Sequence, residues 1–196
     1  IQPDDDITFV VTENNMDELA EIETMDMGKP ITQSRGKDIP RTVDNFRFFA
    51  DYITLSENES FPMSNDYHIY TRYEPVGVVA AISPWNFPIM LASWKVAPAL
   101  AFGNTVVLKP AEQTPVSCYR LGELAAEAGL PEGVLNIVHG FGPQSVGEYL
   151  TTHPDVDLVT FTGESNTGRA IQKAVSSTLK GVSFEMGGKG ANIVFD

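Results

Sequence analysis

The sequence predicts an α/β fold with a doubly wound, mostly parallel sheet, N-terminal helices and a protruding strand arm. Five short apolar runs favour the sheet, and they lie at 76–83, 105–108, 134–138, 158–161 and 193–195. Helix-length segments separate several of these runs, at 89–102, 117–128 and 168–179. Strands that are apolar along their whole length are typical of a parallel sheet covered on both faces, because neither face meets water.

The segment 1–55 precedes this sheet and is predicted to be helical. Apolar and acidic residues separate at helical spacing over 13–27, and Gly28 and Pro30 then supply stop signals. A second helix is predicted over 40–52. Its first residue is a proline, which is tolerated there because the first turn has no intrahelical partner for that amide.

The segment 56–75 is predicted to be a connector followed by the strand arm. Residues 56–66 are polar and include Pro62, which is typical of a loop. Residues 67–73 then alternate as a half-buried strand does. The main domain is predicted over 76–196.

Composition excludes several classes of function. The net charge of -13 and the sequence pI near 4.5 disfavour nucleic-acid binding, because an acidic surface repels a phosphate backbone. The sequence shows neither a secretory leader nor an apolar run long enough to cross a bilayer, which favours a cytoplasmic setting. The chain begins at Ile1 without an initiator methionine, and we expect both of its ends to be cut.

The cysteine and histidines do not suggest a metal site or a nucleophile. Cys118 starts a predicted cover helix without an adjacent histidine, so we interpret it as a small buried apolar residue. His68, His139 and His153 lack the spacing of metal ligands, and no metal is predicted.

Polar or glycine-rich segments follow the predicted strands, where doubly wound sheets bind ligands. They are 84–88, 109–112, 140–142 and 162–168. A further carboxylate, Glu185, stands before the paired glycines Gly187 and Gly188, which allow a ligand to approach closely. Each segment also has a structural interpretation, as a turn or a solvated strand end.

Taken in order, these segments resemble the cofactor-domain signature of the aldehyde dehydrogenase family. The motifs are PWNFP, KPAEQTP, GFGP, FTG with a glycine five residues later, and EMGGK, over 74–196, and the resemblance extends more loosely to the helix end at 24–30. The resemblance implies a Rossmann-like dinucleotide-binding domain over 76–196. It also implies oxidation of an aldehyde to an acid with NAD, through a thiohemiacetal and a thioester on a cysteine outside this chain.

The resemblance assigns three catalytic residues. Asn86 matches the asparagine whose side-chain amide steadies the oxyanion, although a turn residue is the alternative. Glu185 matches the general base, and its apolar, glycine-rich neighbourhood suggests that burial raises its pKa. Lys95 matches a lysine near the proton path, with an ordinary helix-surface lysine as the alternative.

The same resemblance assigns the cofactor residues. Lys109 and Glu112 follow the second strand, where the adenosine ribose is read, and a carboxylate there favours NAD over NADP. Glu164 departs from the serine found in many members, so Ser165 or backbone amides are expected to contact the pyrophosphate instead. The cleft and its pyrophosphate side are expected to include Ile82, Pro84, Trp85, Gly142, Phe161, Thr162, Gly163, Gly168 and Met186. Core packing is the alternative for the aromatic and aliphatic residues, and a helix-start turn is the alternative for Gly142.

Two functions from different classes remain open at this point. One is a portion of an NAD-dependent aldehyde dehydrogenase, inactive by itself, whose full-length form is a homo-oligomer acting on a small aldehyde. The other is a non-catalytic nucleotide-binding or interaction module. The FTGES variant is most similar to the branch that oxidises semialdehydes or betaine-type aldehydes.

Overall fold

The computed structural model describes residues 14–64, 66–191 and 193–194. Its N-terminal part is helical: α1 (Met16–Met27), α2 (Ile31–Gln33), a π-helix (Ser34–Asp38) and α3 (Ile39–Thr54). The two predicted N-terminal helices are present, although residue 13 lies outside the described residues. The π-helix was not predicted, and it makes the second helical segment start at Ile31 instead of at residue 40.

A two-stranded arm follows the helices. β1 (Ser60–Pro62) pairs antiparallel with β2 (His68–Tyr70), and every residue of both strands is exposed. The predicted strand at 67–73 is therefore present in a shorter form. The segment 56–66 was wrongly interpreted as a connector throughout, because its polar residues hide a strand whose Pro62 lies at the strand end, where it is tolerated.

The main sheet contains five parallel strands in the order β5-β4-β3-β6-β7. They are β3 (Val78–Ile82), β4 (Thr105–Lys109), β5 (Leu135–Ile137), β6 (Leu158–Gly163) and β7 (Gly181–Met186). Their connecting helices are α4 (Pro88–Ala101), α5 (Val116–Glu127), α6 (Val146–Thr152) and α7 (Ser165–Val175). The strand order reverses between β3 and β6, so the predicted doubly wound sheet is confirmed.

Strand β7 replaces the fifth strand that the sequence predicted. Residues 193 and 194 are not in a strand, and residue 195 lies outside the described residues. Within β7, Val182 and Phe184 are half-buried, while the other four residues are exposed. An edge strand with one covered face alternates in hydrophobicity, and a search for continuous apolar runs misses it. Helix α6 was also missed, because seven residues are too few for a clear helical period.

Two apolar clusters lie on opposite faces of the sheet. The larger one packs α1, α3, α4 and α5 against β3 and β4, and its fully buried residues include Leu19, Ile89 and Leu108. The smaller one packs α7 against β6 through Val159, Ile171 and others. In the part of the chain that the structure describes, no helix is long and apolar enough to cross a membrane.

Candidate active site

The carboxyl ends of the strands meet at one edge of the sheet. Ile82, the last residue of β3, pairs with Lys109 of β4 on one side and with Phe161 of β6 on the other. Thr162 pairs in turn with Glu185 of β7, and the next pair joins Gly163 to Met186. Seven of the predicted site residues are thus brought together across the point where the strand order reverses.

The loop after β3 carries Pro84, Trp85 and Asn86. The Trp85 ring is 55% exposed, and the Asn86 side chain is also exposed. Two side chains hold the backbone of this loop from below. The Thr114 hydroxyl donates to the Trp85 carbonyl at 3.4 Å, and the Lys29 ammonium donates to the Asn86 carbonyl at 3.2 Å. Asn86 therefore projects from a loop whose backbone is fixed by buried groups.

Lys29 belongs to a buried charge cluster that the sequence analysis did not identify. Its ammonium lies 2.5 Å from Asp38 Oδ2 and 3.7 Å from Glu23 Oε1, and both carboxylates are completely buried. The sequence did show Lys29 immediately after a helix stop, but nothing in the local pattern indicated burial. A lysine in a Gly-Lys-Pro segment usually lies in solvent.

Lys95 lies inside the site. It projects from α4, is 8% exposed, and donates to Thr162 Oγ1 at 2.6 Å. Burial lowers the pKa of Lys95 from 10.5 to about 8, while the nearby Glu185 carboxylate opposes this by favouring the ammonium. The alternative interpretation of Lys95 as a helix-surface residue is therefore wrong. Three predicted residues, Lys95, Thr162 and Glu185, form one cluster.

Glu185 and Met186 lie on the exposed side of the site. Glu185 is exposed, and Met186 is 47% exposed. The expectation that Glu185 sits in an apolar, water-poor environment is not met by the described residues. Glu185 lies at an exposed position of the edge strand β7. The expectation rested on the apolar residues next to Glu185 along the chain, and these do not determine whether its side chain is covered.

Lys109 and Glu112 form a pair at the end of β4. The Lys109 side chain is 5% exposed and the Glu112 side chain 35%, with 3.4 Å between Nζ and Oε2. Lys109 Nζ also donates to the Pro110 carbonyl at 3.1 Å. Lys109 is thus a buried cation with local oxygen partners, and Glu112 presents a partly exposed carboxylate at the same edge.

Helix α7 begins at the carboxyl end of β6. Glu164 precedes it without capping it, and its carboxylate instead accepts a hydrogen bond from Asn166 Nδ2 at 2.8 Å. Ser165 opens the helix. A Cβ at Gly168 would collide with Met186 Sδ, so this glycine lets α7 approach β7 closely.

Gly142 follows β5, at the other edge of the sheet from β7. The Gly142 carbonyl accepts a hydrogen bond from the Glu148 amide at 3.0 Å, and the Phe141 carbonyl accepts one from Gly147 at 2.9 Å. These bonds tie the GFG loop to the start of α6. Gly142 is thus the most peripheral of the predicted cofactor residues in the sheet order.

Cys118 is not suited to act as a nucleophile. It is completely buried on α5, and burial raises the pKa of its thiol well above the usual range. The interpretation of Cys118 as a structural residue therefore agrees with its environment. Among the described residues, no group of three or more His, Cys, Asp or Glu side chains is placed to hold a metal ion.

Comparison with known proteins agrees with this geometry. The family model for the aldehyde dehydrogenase family matches residues 9–196. The chain is 50% identical to a 2-hydroxymuconic semialdehyde dehydrogenase of Pseudomonas sp. (strain CF600), covering 91% of this chain and 38% of that protein. It is 46% identical to a 2-aminomuconic 6-semialdehyde dehydrogenase of Pseudomonas sp, covering 93% and 38% respectively.

A solved structure gives the same result. The NAD+ complex of an aldehyde dehydrogenase from Bacillus cereus superposes with a TM-score of 0.93 at 45% identity, covering 98% of this chain and 39% of that one. The chain therefore spans about 38% of the length of the curated relatives named above. On these grounds the chain belongs to the aldehyde dehydrogenase family.

Proposed function

We propose that this chain is the NAD-binding portion of an aldehyde dehydrogenase that oxidises an aldehyde to a carboxylic acid. The reacting cysteine would lie outside this chain and form a thiohemiacetal and then a thioester. The observation that carries the proposal is the convergence of Lys95, Thr162 and Glu185 with the Lys109–Glu112 pair at one sheet edge, where the loop after β3 carries Asn86. Sheets of this type bind their ligands at this position.

The residues present fit a dinucleotide. The first-turn amides of α7 are not capped by the Glu164 side chain, and a helix N-terminus attracts an anion such as a pyrophosphate. Ser165 and Gly163 would lie against it, with Thr162, Phe161 and Ile82 along the cleft floor. Bound there, NAD would accept the two electrons that leave the aldehyde carbon.

Glu112 supports NAD as the cofactor in preference to NADP, whereas Lys109 could serve either cofactor. The partly exposed Glu112 carboxylate would accept hydrogen bonds from ribose hydroxyls, and it would repel a 2′-phosphate. Lys109 would orient Glu112 and contribute a positive charge. Trp85, Pro84 and Met186 would cover the bound cofactor, and Gly142 would lie towards its outer end.

The chain's own residues would perform two tasks. The Asn86 side-chain amide would donate a hydrogen bond to the oxygen that becomes negative when the cysteine attacks the carbonyl. The Glu185 carboxylate would take a proton from the water that hydrolyses the thioester. Lys95, with a pKa of about 8, would exchange protons near Glu185 at close to neutral pH.

The names of two relatives support a proposal for the substrate. Both Pseudomonas proteins are named for muconic semialdehydes, and we propose a semialdehyde, or a betaine-type aldehyde as the alternative. We expect a homo-oligomer in the cytoplasm. The exposed arm β1–β2 supports oligomerisation, because unpaired strand edges invite pairing with another chain.

Asn86→Ala in the full-length protein tests the proposal. We expect aldehyde-dependent NADH production by the unchanged protein and a fall in kcat by about a hundredfold to a thousandfold in the variant, since one oxyanion donor is lost. Asn136→Ala is the matched control, because Asn136 is exposed on β5 and its side-chain amide donates to the nearby Gly133 carbonyl. Binding of NAD by the unchanged protein without any aldehyde oxidation would instead favour the non-catalytic module.

A further inference from the structure

Lys29 joins the N-terminal helices to the loop that carries Asn86. Gly28 ends α1 with a φ of +82°, a conformation that glycine adopts without strain, and Lys29 follows it, 7% exposed. The Lys29 ammonium donates to the Asn86 carbonyl at 3.2 Å and lies 4.5 Å from the centre of the Phe87 ring. Both contacts fall on the backbone and ring next to the Asn86 side chain.

Two buried carboxyl groups hold the ammonium in place. Asp38 is the nearer at 2.5 Å, and Glu23 lies at 3.7 Å. Burial raises the pKa of the Glu23 carboxyl, which favours its protonated form. Lys29 and Asp38 therefore form the closest ion pair of the cluster.

The π-helix gives Asp38 its inward position. The Ile39 amide bonds to the Ser34 carbonyl in place of an ordinary helical partner. Ser34 is itself fixed to α1, because its hydroxyl oxygen accepts a hydrogen bond from Thr24 Oγ1 at 2.9 Å. Single-turn π segments occur often at functional sites, where they redirect one side chain.

Stability alone does not account for this cluster. Burying an ion pair costs several kcal/mol of desolvation, and apolar residues of similar volume are often at least as stable. An apolar residue cannot, however, donate a directed hydrogen bond to the Asn86 carbonyl. The cluster therefore delivers a fixed ammonium to one point on the active-site loop.

We propose that Lys29 is a positioning residue that holds the Asn86 backbone so that the Asn86 side-chain amide stays aimed at the oxyanion. The inference rests on the proposed function, because it assigns Lys29 an effect only through Asn86. Lys29 itself does not contact the reacting atoms. Its effect is expected in kcat more than in the apparent KM for the aldehyde.

The test uses the full-length protein with a charge-balanced substitution, Lys29→Gln together with Asp38→Asn. This pair removes the ammonium together with its nearest carboxylate, and burial favours the neutral form of the remaining Glu23 carboxyl by raising its pKa, so we expect the variant to fold, as measured by circular dichroism. A displaced donor can cost up to a hundredfold, and we expect kcat to fall by about tenfold to a hundredfold. Lys37→Gln is the control, because Lys37 is an exposed lysine on the same π-helix.

A second background separates positioning from general damage to the fold. When Asn86 is already alanine, the Lys29 and Asp38 substitutions should change kcat by less than about twofold, since effects routed through one group are not additive. Equal losses of kcat in both backgrounds would overturn the inference. So would a kcat matching that of Lys37→Gln, or a balanced variant that does not fold.

The same measurements keep the two proposals apart. If the unchanged protein oxidises aldehydes and Asn86→Ala impairs it, the proposed function stands whatever Lys29 does. If the unchanged protein shows no aldehyde oxidation, the proposed function fails and the inference about Lys29 fails with it.

Discussion

The two sides of the active-site edge differ in how their charged groups are held. The lysine side consists of Lys29, Lys95 and Lys109, which are each buried and each bonded to an oxygen of another residue. On the β7 side, Glu185 and Met186 are exposed. The environment of the three ammonium groups is therefore determined by this chain alone. The environment of the Glu185 carboxylate is not.

This difference teaches which properties the chain fixes by itself. A buried charge has its pKa and orientation set by the groups packed around it. An exposed carboxylate is solvated. The backbone of β7 fixes where the Glu185 side chain begins, but no packed groups fix its pKa or its orientation. The effects of lysine substitutions on stability should therefore be measurable in this 196-residue chain. The effect of a substitution at Glu185 should be measurable only in the full-length protein.

The largest effect is expected from Glu185→Gln, which tests whether the exposed side carries chemistry. Glutamine cannot accept a proton from the hydrolytic water, so we expect kcat to fall by about a hundredfold to ten-thousandfold. A burst of NADH from the first turnover should remain, because only hydrolysis of the thioester is slowed. Stopped-flow absorbance of NADH measures both quantities.

Glu132→Gln is the matched control for that substitution, because Glu132 is an exposed glutamate in a surface turn. Its kcat should equal that of the unchanged protein. If the kcat of Glu185→Gln also equals that of the unchanged protein, Glu185 does not act as a base. The difference between the two sides then has no effect on catalysis.

Sequence reasoning succeeded where one local pattern determines one structure. The apolar runs of β3, β4 and β6 are buried on both faces, so their composition predicted them, and their register placed Ile82, Lys109 and Phe161 together. It failed at β7, whose alternation reflects an edge position. It also missed the Lys29 cluster, because the burial of Lys29 depends on contacts with Asp38 and with the loop at Asn86, which lies 57 residues further along the chain.

A smaller effect is expected from the pH dependence of stability, which tests the buried side. The pKa of Lys95 is about 8 in the folded chain and near its ordinary value of 10.5 when unfolded. Between these values the unfolded chain binds more protons than the folded one, so stability should rise with pH there. Below pH 8 both states carry the ammonium, and no slope arises from Lys95.

Lys95→Met removes this pH dependence. The quantity to measure is the difference in the free energy of unfolding between the unchanged chain and Lys95→Met, because the contributions of the other titrating groups cancel in that difference. We expect the unchanged chain to gain on the order of 2 kcal/mol relative to Lys95→Met between pH 8 and 10. Urea unfolding followed by tryptophan fluorescence gives this difference. A constant difference across that range would show that Lys95 is not desolvated as its burial implies.

The smallest effect is expected from Glu112→Gln. Glu112 is intermediate between the two sides, because its partner Lys109 is buried and its own carboxylate is partly exposed. The neutral amide no longer repels a 2′-phosphate and bonds the ribose hydroxyls more weakly. We expect the ratio of kcat/KM for NADP over NAD to rise about tenfold, the change expected from one charged hydrogen bond. Gln113→Glu is the control, since it adds a carboxylate next to Glu112 and should not raise that ratio. If Glu112→Gln leaves the cofactor ratio unchanged, the ribose is read elsewhere, and the Lys109–Glu112 pair serves only to anchor the end of β4.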